Sequence, residues 1–202
     1  TGLFAGSALM MGWLGTMPLA AHGIVMQLTA VVFMTHVGLS NVATIRVGNA
    51  RGRHDPLHME KGAVVVTIMS LAVSAATITV LLGMPEPLIS IFMQADEPQR
   101  DDILAIGVGL LAVAALFQLV DGAQVIALGL LRGVQDTRMP MIFAAFSYWG
   151  IGIPCSYLLG FTFGFGGYGI WAGLVAGLTV ASVLLSIRFW WVVLRNLKAQ
   201  VA

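Results

Sequence analysis

Asp121 is the residue whose type and position most clearly suggest chemistry, because it is the one acidic side chain inside a long apolar segment. A charge placed in hydrocarbon is costly and is usually retained for function. Arg132 follows 11 residues later, so Asp121 lies roughly 16 Å from the basic end of its segment, near the middle of a bilayer. We therefore predict a cation or proton site at Asp121. A carboxyl group neutralised by a structural partner is the alternative.

Other polar and aromatic residues would share a helix face with Asp121 or lie opposite it. Phe117, Asp121 and Gln124 are spaced by four and three residues, with Gln118 beside them. The apolar segment 24–47 carries too much polarity for a helix surrounded by lipid and is predicted to line a cavity. Its polar and aromatic residues are Gln27, Thr29, Phe33, Thr35, His36, Ser40 and Asn41. For each Ser, Thr or His, a local hydrogen bond is the alternative.

Two patterns that resemble ligand-binding motifs fail in their context. Gly164, Gly166 and Gly169 spell G-x-G-x-x-G, but no predicted strand precedes them and no acidic residue follows them. His54 and His58 flank a proline in a basic loop, where a helical metal-binding face is not expected. An enzyme is not favoured either, since aspartyl chemistry needs two carboxylates sharing one site and no serine has a convincing histidine partner.

Membrane-spanning helices must position these residues. The chain has 58% hydrophobic and only 9% charged residues, with a mean hydropathy of +0.93, outside the range of ordinary soluble domains. Helices satisfy their own backbone hydrogen bonds and can therefore be surrounded by lipid. A short apolar piece, 87–93, is predicted to lie in the membrane interface. The six predicted spans are residues 2–20, 24–47, 62–82, 103–131, 139–161 and 169–194.

Glycine and proline patterns predict how two of these helices pack and bend. Gly169, Gly173 and Gly177 recur at four-residue spacing, which lets helix backbones approach closely. Pro154, with two glycines just before it, predicts a kink in the fifth span. The kink could serve as a hinge or as a rigid bend.

Charge placement predicts the orientation in the membrane. Nine of the ten basic residues lie in the connections and ends that share one side, and only Arg100 lies on the other. Since cytoplasmic connections are rich in Lys and Arg, both termini are predicted to be cytoplasmic. Trp190 and Trp191 indicate either an interfacial aromatic belt or stacking within the bundle. Five of the nine acids fall in the long outer connection: Glu86, Asp96, Glu97, Asp101 and Asp102.

Several strings of residues carry a family resemblance. They are AAH at 20–22, Phe33, GLS at 38–40, RVG at 46–48, QLVDGAQV at 118–125, GLLRG at 129–133, and Tyr148, Trp149 and Pro154. At these spacings the sequence resembles the MATE (multidrug and toxic compound extrusion) transporters, closest to the NorM branch. The resemblance covers nearly the whole chain and matches the C-terminal half of the family.

The resemblance implies an all-α transporter of twelve helices in two six-helix lobes. Residues 1–202 would form the second lobe, and the N-terminal lobe would be absent from this sequence. It also implies a cation site, for Na⁺ or H⁺, made of Asp121, Phe33, a tyrosine and a glutamate. Phe117 stands where the tyrosine is expected, and the glutamate would lie just before Thr1. We therefore expect a truncated first helix and an incomplete site.

The expected function is a secondary antiporter lobe that exports organic cations or drugs in exchange for Na⁺ or H⁺, without a cofactor. The candidate cation-binding residues are Asp121, Phe33, Phe117 and Gln124, and the candidate substrate-cavity residues are Gln27, Asp101, Asp102 and Tyr148. At the outer mouth, Asp101 and Asp102 could concentrate cations, with a plain solvated loop as the alternative.

The expected partners are small organic cations, membrane lipid, and either an N-terminal lobe or a second copy of this chain; no nucleic acid is expected. The expected location is a bacterial plasma membrane. A flippase for lipid-linked substrates is one alternative, and it would favour a basic cavity. A non-transporting assembly module is the other, and there Asp121 would need only a structural partner.

Overall fold

A computed structural model describes residues 2–93 and 99–201, apart from the side chains of 200 and 201. The expectations about Thr1 and about the acids Asp96 and Glu97 fall outside these residues. The helices are α1 (Gly2–Leu14), α2 (Thr16–Gly52), α3 (Pro56–Gly83), α4 (Pro85–Ser90) and α5 (Arg100–Gly133), followed by α6 (Arg138–Thr162) and α7 (Gly166–Ala199). The prediction of an all-α membrane protein is confirmed.

The first predicted span differs from the structure. Five helices, α2, α3, α5, α6 and α7, are long and apolar enough to cross a membrane. α1 has only 13 residues, about 20 Å of helix, which is too short for a bilayer core of about 30 Å. The predicted boundary at residues 21–23 is wrong, because the chain turns at Gly15 (φ 125°) and α2 runs on from Thr16 without a break. Pro18 is tolerated in the first turn of α2, where its missing N–H would have no helical partner.

The longest interface joins α2 to α5 and depends on small residues. A Cβ atom added to Gly129 would lie 2.4 Å from Oγ of Ser40, so no side chain fits there. Ser40 Oγ donates to the Val125 carbonyl oxygen (2.8 Å), and Thr44 Oγ1 donates to the Gly129 carbonyl oxygen (2.9 Å). The two helices are thus held at close range by hydroxyl groups of α2 and carbonyl groups of α5.

The glycine stripe of α7 packs directly on α6. A Cβ atom at Gly169, Gly173 or Gly177 would lie 2.5, 2.2 or 2.7 Å from backbone atoms of α6. Real Cβ atoms do not approach other atoms so closely, so only glycine allows this contact. The predicted role of the stripe in packing is confirmed.

Pro154 changes the hydrogen-bond pattern of α6. Two π-helical turns, Phe146–Gly152 and Leu158–Thr162, flank the α-helical piece that contains this proline. At the end of the first turn, the N–H of Ile153 donates to the Tyr148 carbonyl oxygen, five residues back. Because proline has no N–H to continue the usual ladder, the helix widens around it. The kink predicted in the fifth span stays a prediction, and the structure shows this change of hydrogen-bond pattern at its position.

Ion pairs join helix ends at the basic end of the bundle. Arg188 of α7 pairs with Asp136 in the α5–α6 connection, with Nε and Oδ2 2.6 Å apart. Lys198 of α7 pairs with Glu60 of α3 at 2.6 Å. These contacts bring together connections that the sequence assigns to the cytoplasmic side. The orientation itself stays a prediction.

Trp190 and Trp191 each agree with a different one of the two alternatives, which were stacking within the bundle and a position in an interfacial aromatic belt. Trp190 packs edge-on against the buried ring of Phe189, with centroids 5.2 Å apart. Trp191 is 70% exposed on the outside of the bundle, as an interfacial residue would be.

The predicted interfacial piece 87–93 overlaps the short helix α4. Ile89 of α4 is fully buried, and its side chain occupies the space beside Gly107 of α5. α4 therefore lies against the N-terminal half of α5.

Candidate functional site

Asp121 lies in the wall of a pocket formed by α1, α2 and α5. The pocket has a volume of about 180 Å³. Most of its lining is apolar or aromatic, and none of the described residues that line it is basic. The lining residues are Phe4, Met26, Thr29, Ala30, Phe33, Phe117 and Asp121. The structure therefore brings together three of the four predicted cation-binding residues.

The carboxyl group of Asp121 is buried but open to a ligand. The residue is only 5% exposed. Within residues 2–93 and 99–201, no ion pair or side-chain hydrogen bond reaches it. A buried carboxylate without a partner is costly, so it must bind a cation or a proton, or contact water from the pocket.

Aromatic rings flank the carboxylate on two sides of the pocket. Phe117 is 3% exposed and stands edge-on to Phe4 (centroids 6.1 Å apart) and to Trp171 (5.3 Å). Phe33 contributes its ring from α2. Aromatic faces attract cations through their quadrupole, most strongly where water is excluded.

Two neutral side chains beside Asp121 offer further oxygen atoms. Thr29 lines the pocket, and its hydroxyl donates to the Met26 carbonyl oxygen (3.0 Å), which leaves the oxygen lone pairs of that hydroxyl free. Gln118 donates from Nε2 to the Thr29 carbonyl oxygen (3.0 Å). Oε1 of Gln118 is buried, and none of the residues that the structure describes donates to it.

The oxygen atoms beside Asp121 suit a weakly bound monovalent cation. In the described parts of the chain, no three His, Cys, Asp or Glu side chains come together. The pocket lining therefore offers the carboxylate of Asp121 and the hydroxyl oxygen of Thr29. Such oxygen ligands are the hard ligands that alkali and alkaline-earth cations prefer over nitrogen and sulfur.

Gln124 lies outside the pocket although it shares a helix face with Asp121. Its amide nitrogen donates to the hydroxyl of Tyr148, on the first π-helical turn of α6. Neither residue lines the pocket. The predicted cation-binding residues of α5 therefore face different helices. Phe117 and Asp121 face α2, and Gln124 faces α6.

Three further candidates do not reach the pocket. Gln27 is exposed on α2 and is absent from the pocket lining. Asp101 and Asp102 are exposed in the first turn of α5. They precede Asp121 by about 20 residues, or about 30 Å along the helix. The structure therefore separates them from the site.

His36 is satisfied by local partners. It is fully buried, with Nδ1 3.2 Å from the Val32 carbonyl oxygen and Nε2 3.2 Å from Ser74 Oγ on α3. Gly122 of α5 leaves room for the ring, since a Cβ there would lie 2.6 Å from Nε2. The alternative of a hydrogen-bonded histidine on a packed face, rather than a proton relay, agrees with this geometry.

Sequence reasoning missed the wall residues Met26, Ala30 and Phe4, whereas Thr29 was among the residues predicted to line a cavity. Met26 and Ala30 precede Phe33 by seven and three residues, so they share one face of α2. That spacing could have identified them. Phe4 comes from α1, and no periodic signal links it to Asp121.

Comparison with known proteins gives consistent matches. The family model described as MatE matches residues 1–158. A probable multidrug resistance protein NorM of Brucella suis is 42% identical over 189 residues, which cover 94% of this chain and 40% of that protein. A second, from Agrobacterium fabrum, is 40% identical over 196 residues, covering 97% and 42%.

Solved structures agree on the fold. A crystal structure of the eukaryotic MATE transporter AtDTX14 superposes with a TM-score of 0.83 at 18% identity, covering 99% of this chain and 45% of that one. The chain spans about 40% of the length of the relatives that it matches.

Proposed function

The chain belongs to the MatE family, and we propose that it forms one lobe of a secondary antiporter that exports organic cations in exchange for Na⁺ or H⁺. It is an integral membrane protein, with five helices able to span a bilayer. The observation that carries the proposal is the pocket in which Asp121 faces aromatic rings, with no partner among the residues that the structure describes.

The charge of the pocket favours cations over anions. Among the residues that the structure describes, Asp121 is its one ionisable side chain, and no Lys, Arg or His lines it. A carboxylate at low dielectric attracts a cation more strongly than it would in water. Phe33 and Phe117 add a cation–π contribution. A flippase that holds an anionic head group would need the opposite charge, so this alternative has no support in the pocket.

Exchange follows from competition for one carboxylate. An organic cation and a coupling ion cannot both neutralise Asp121, so binding of one favours release of the other. Transport requires that the two occupied states face opposite sides of the membrane, because a ligand shifts a conformational equilibrium only through its different affinities for the two states.

Alternating access would also need a facing surface. Because the matched relatives are more than twice as long as this chain, we propose that an N-terminal lobe or a second copy of the chain supplies that surface. The proposed location is a bacterial plasma membrane with the basic end of the bundle in the cytoplasm.

Replacement of Asp121 by asparagine tests the antiport mechanism. Asn keeps the shape of the side chain and removes its charge, so insertion and folding should remain near normal while ion-driven efflux is lost. The measurement is efflux of a cationic dye from proteoliposomes of the full-length gene product, with sodium and proton gradients imposed separately. Transport equal to the parent under both gradients would make Asp121 structural and the proposal wrong.

A further inference from the structure

A second pocket lies at the basic end of the bundle, between the last turns of α2 and α7 and the α5–α6 connection. It has a volume of about 350 Å³ and opens to the surface. α5 ends at Gly133, 12 residues beyond Asp121, which is about 18 Å of helix. This pocket is therefore separate from the one that contains Asp121, and it lies where three membrane-spanning helices end. Its polar lining residues are Arg51, Gln135, Asp136 and Asn196, and the others are aliphatic.

The surroundings of this pocket carry an excess of positive charge. Nine basic residues lie at this end against three acids, an excess of six. The last turns of three helices add about half a negative charge each, which is far smaller than this excess. Each of the three acids already has a partner. The pairs are Asp136 with Arg188, Glu60 with Lys198, and Asp55 with the N–H of His58.

Arg51 is held in place with its charge still available. Its Nη1 donates to the Val134 carbonyl oxygen, at the C-terminal end of α5. Within residues 2–93 and 99–201, no ion pair involves Arg51. A guanidinium group has five N–H donors in a planar fork that matches the oxygens of a phosphate group. Anchoring one nitrogen on a carbonyl group fixes the fork and leaves the other donors for a ligand.

Gln135 has a backbone conformation that favours glycine. Its φ is 60°, in the left-handed region. The N–H of Gln135 donates to the Arg132 carbonyl oxygen, and the N–H of Asp136 donates to the Leu131 carbonyl oxygen, both at 2.9 Å. This is the hydrogen-bond pattern that ends many helices, usually with glycine in the left-handed position. Because the Gln135 side chain lines the pocket, we attribute the strained glutamine to a role there.

The depth and the rim of the pocket favour a lipid over a soluble anion. The ends of membrane-spanning helices lie at the level of the lipid head groups. Val193 and Leu197 of α7 line the pocket. On the neighbouring turn of α7, Trp191 is 70% and Val192 is 42% exposed, as expected for side chains that contact acyl chains. Basic pockets between helices at the cytoplasmic membrane surface bind anionic head groups in other membrane proteins.

We propose that this pocket binds the phosphate group of an anionic phospholipid. Arg51 supplies the charge-assisted hydrogen bonds, and the amide groups of Gln135 and Asn196 donate to the remaining phosphate oxygens. The bound lipid would join the ends of α2, α5 and α7, and so stabilise the basic end of the bundle. This inference goes beyond the antiport proposal and does not depend on it.

Lipid binding can be measured by thermal unfolding of the full-length gene product, purified in detergent. Phosphatidylglycerol, phosphatidylcholine and inorganic phosphate would be titrated in parallel. A ligand that binds the folded state raises its stability with a concentration dependence set by its affinity. Phosphatidylglycerol should raise Tm. Phosphatidylcholine should not, because its choline group neutralises the phosphate charge, and inorganic phosphate at the same concentration should not, because it has no acyl chains.

Two variants test the pocket residues, and a third is the control. Arg51→Gln should raise the phosphatidylglycerol concentration for half-maximal stabilisation about tenfold, the size expected for a lost hydrogen bond to a charged group. Gln135→Gly should raise it about threefold while leaving the Tm without lipid unchanged or higher, since glycine relieves the positive φ. Arg53→Gln removes the same charge from an exposed residue that does not line the pocket. It should leave the midpoint unchanged.

Four results would overturn the proposal. Equal stabilisation by phosphatidylcholine would exclude recognition of an anionic head group, and equal stabilisation by inorganic phosphate would indicate a site for a free anion. Equal shifts in Arg51→Gln and Arg53→Gln would indicate diffuse attraction to the basic surface. A parent-like midpoint in Gln135→Gly would contradict the role of the strained glutamine, and this variant decides alone if Arg51→Gln does not insert. Ion-driven efflux does not enter these measurements, so the antiport proposal stands or falls separately.

Discussion

The indole nitrogen of Trp171 donates a hydrogen bond to Nδ1 of His22, 3.1 Å away. This bond joins the N-terminal part of α7 to the first turns of α2. An indole N–H can only donate, so Nδ1 of His22 must be the acceptor, and the proton of the neutral ring is on Nε2. Trp171 is fully buried and stands edge-on to Phe117, a wall residue of the pocket. The hydrogen bond therefore helps to hold Trp171 against Phe117, a wall residue of the pocket.

Loss of this acceptor should destabilise the bundle. His22→Ala leaves the N–H of Trp171 buried without a partner, at a cost of about 1–3 kcal/mol. The change is expected as a lower free energy of unfolding in detergent. In a Trp171→Phe background the same substitution should cost less, because no donor remains to be satisfied. Equal costs in the two backgrounds would show that the hydrogen bond contributes nothing.

The contact between α6 and α7 should not tolerate a methyl group. In Gly173→Ala the new Cβ would meet the backbone nitrogen of Ser156 at 2.2 Å, so the helices must separate. We expect a loss of about 1–3 kcal/mol, typical of overpacking. Gly23→Ala is the control, since nothing lies within 4 Å of its Cβ position; it should be neutral or slightly stabilising, as alanine favours the helix. Equal Tm values for the two variants would refute this account of the interface.

Phe117→Tyr should strengthen the sodium dependence of transport. The new hydroxyl would place another oxygen at the pocket that contains Asp121. The expected result is a lower Na⁺ concentration for half-maximal efflux from proteoliposomes. Phe189→Tyr is the control, because Phe189 is fully buried away from the pocket, among apolar residues at the basic end of the bundle. It should affect stability without changing the response to Na⁺. A Phe117→Tyr protein with unchanged sodium dependence contradicts the prediction.

The orientation can be tested by cysteine labelling in a background with Cys155→Ala. A cysteine at Ile91, which is 74% exposed after α4, should react with an impermeant reagent added outside intact cells. A cysteine at the exposed Arg53 should react only after the cells are opened. The expectation comes from the distribution of the basic residues, of which nine lie on the predicted cytoplasmic side and one lies on the other side. Labelling in the reverse pattern would invert the proposed topology.

The helices could be predicted well, but one boundary could not. Long apolar runs that end in charged or glycine-rich segments identify spans because lipid imposes that pattern. The predicted break at residues 21–23 lies inside α2, which begins at Thr16. His22 stays inside α2 because its ring is buried against Trp171, 149 residues away. No local pattern reports such a partner.

The sequence by itself determined that this is an all-helical membrane protein of the MatE family, and it led to the prediction that Asp121 is the functional carboxylate. Composition, residue spacing and the depth of a single charge are properties of one chain segment at a time, so they can be read without coordinates. Only the tertiary structure decided that Phe4, Thr29 and Phe33 meet Asp121, while Gln124 pairs with Tyr148. Helical periodicity defines a face of α5, but the neighbour that covers each part of the face depends on where glycines let another helix approach.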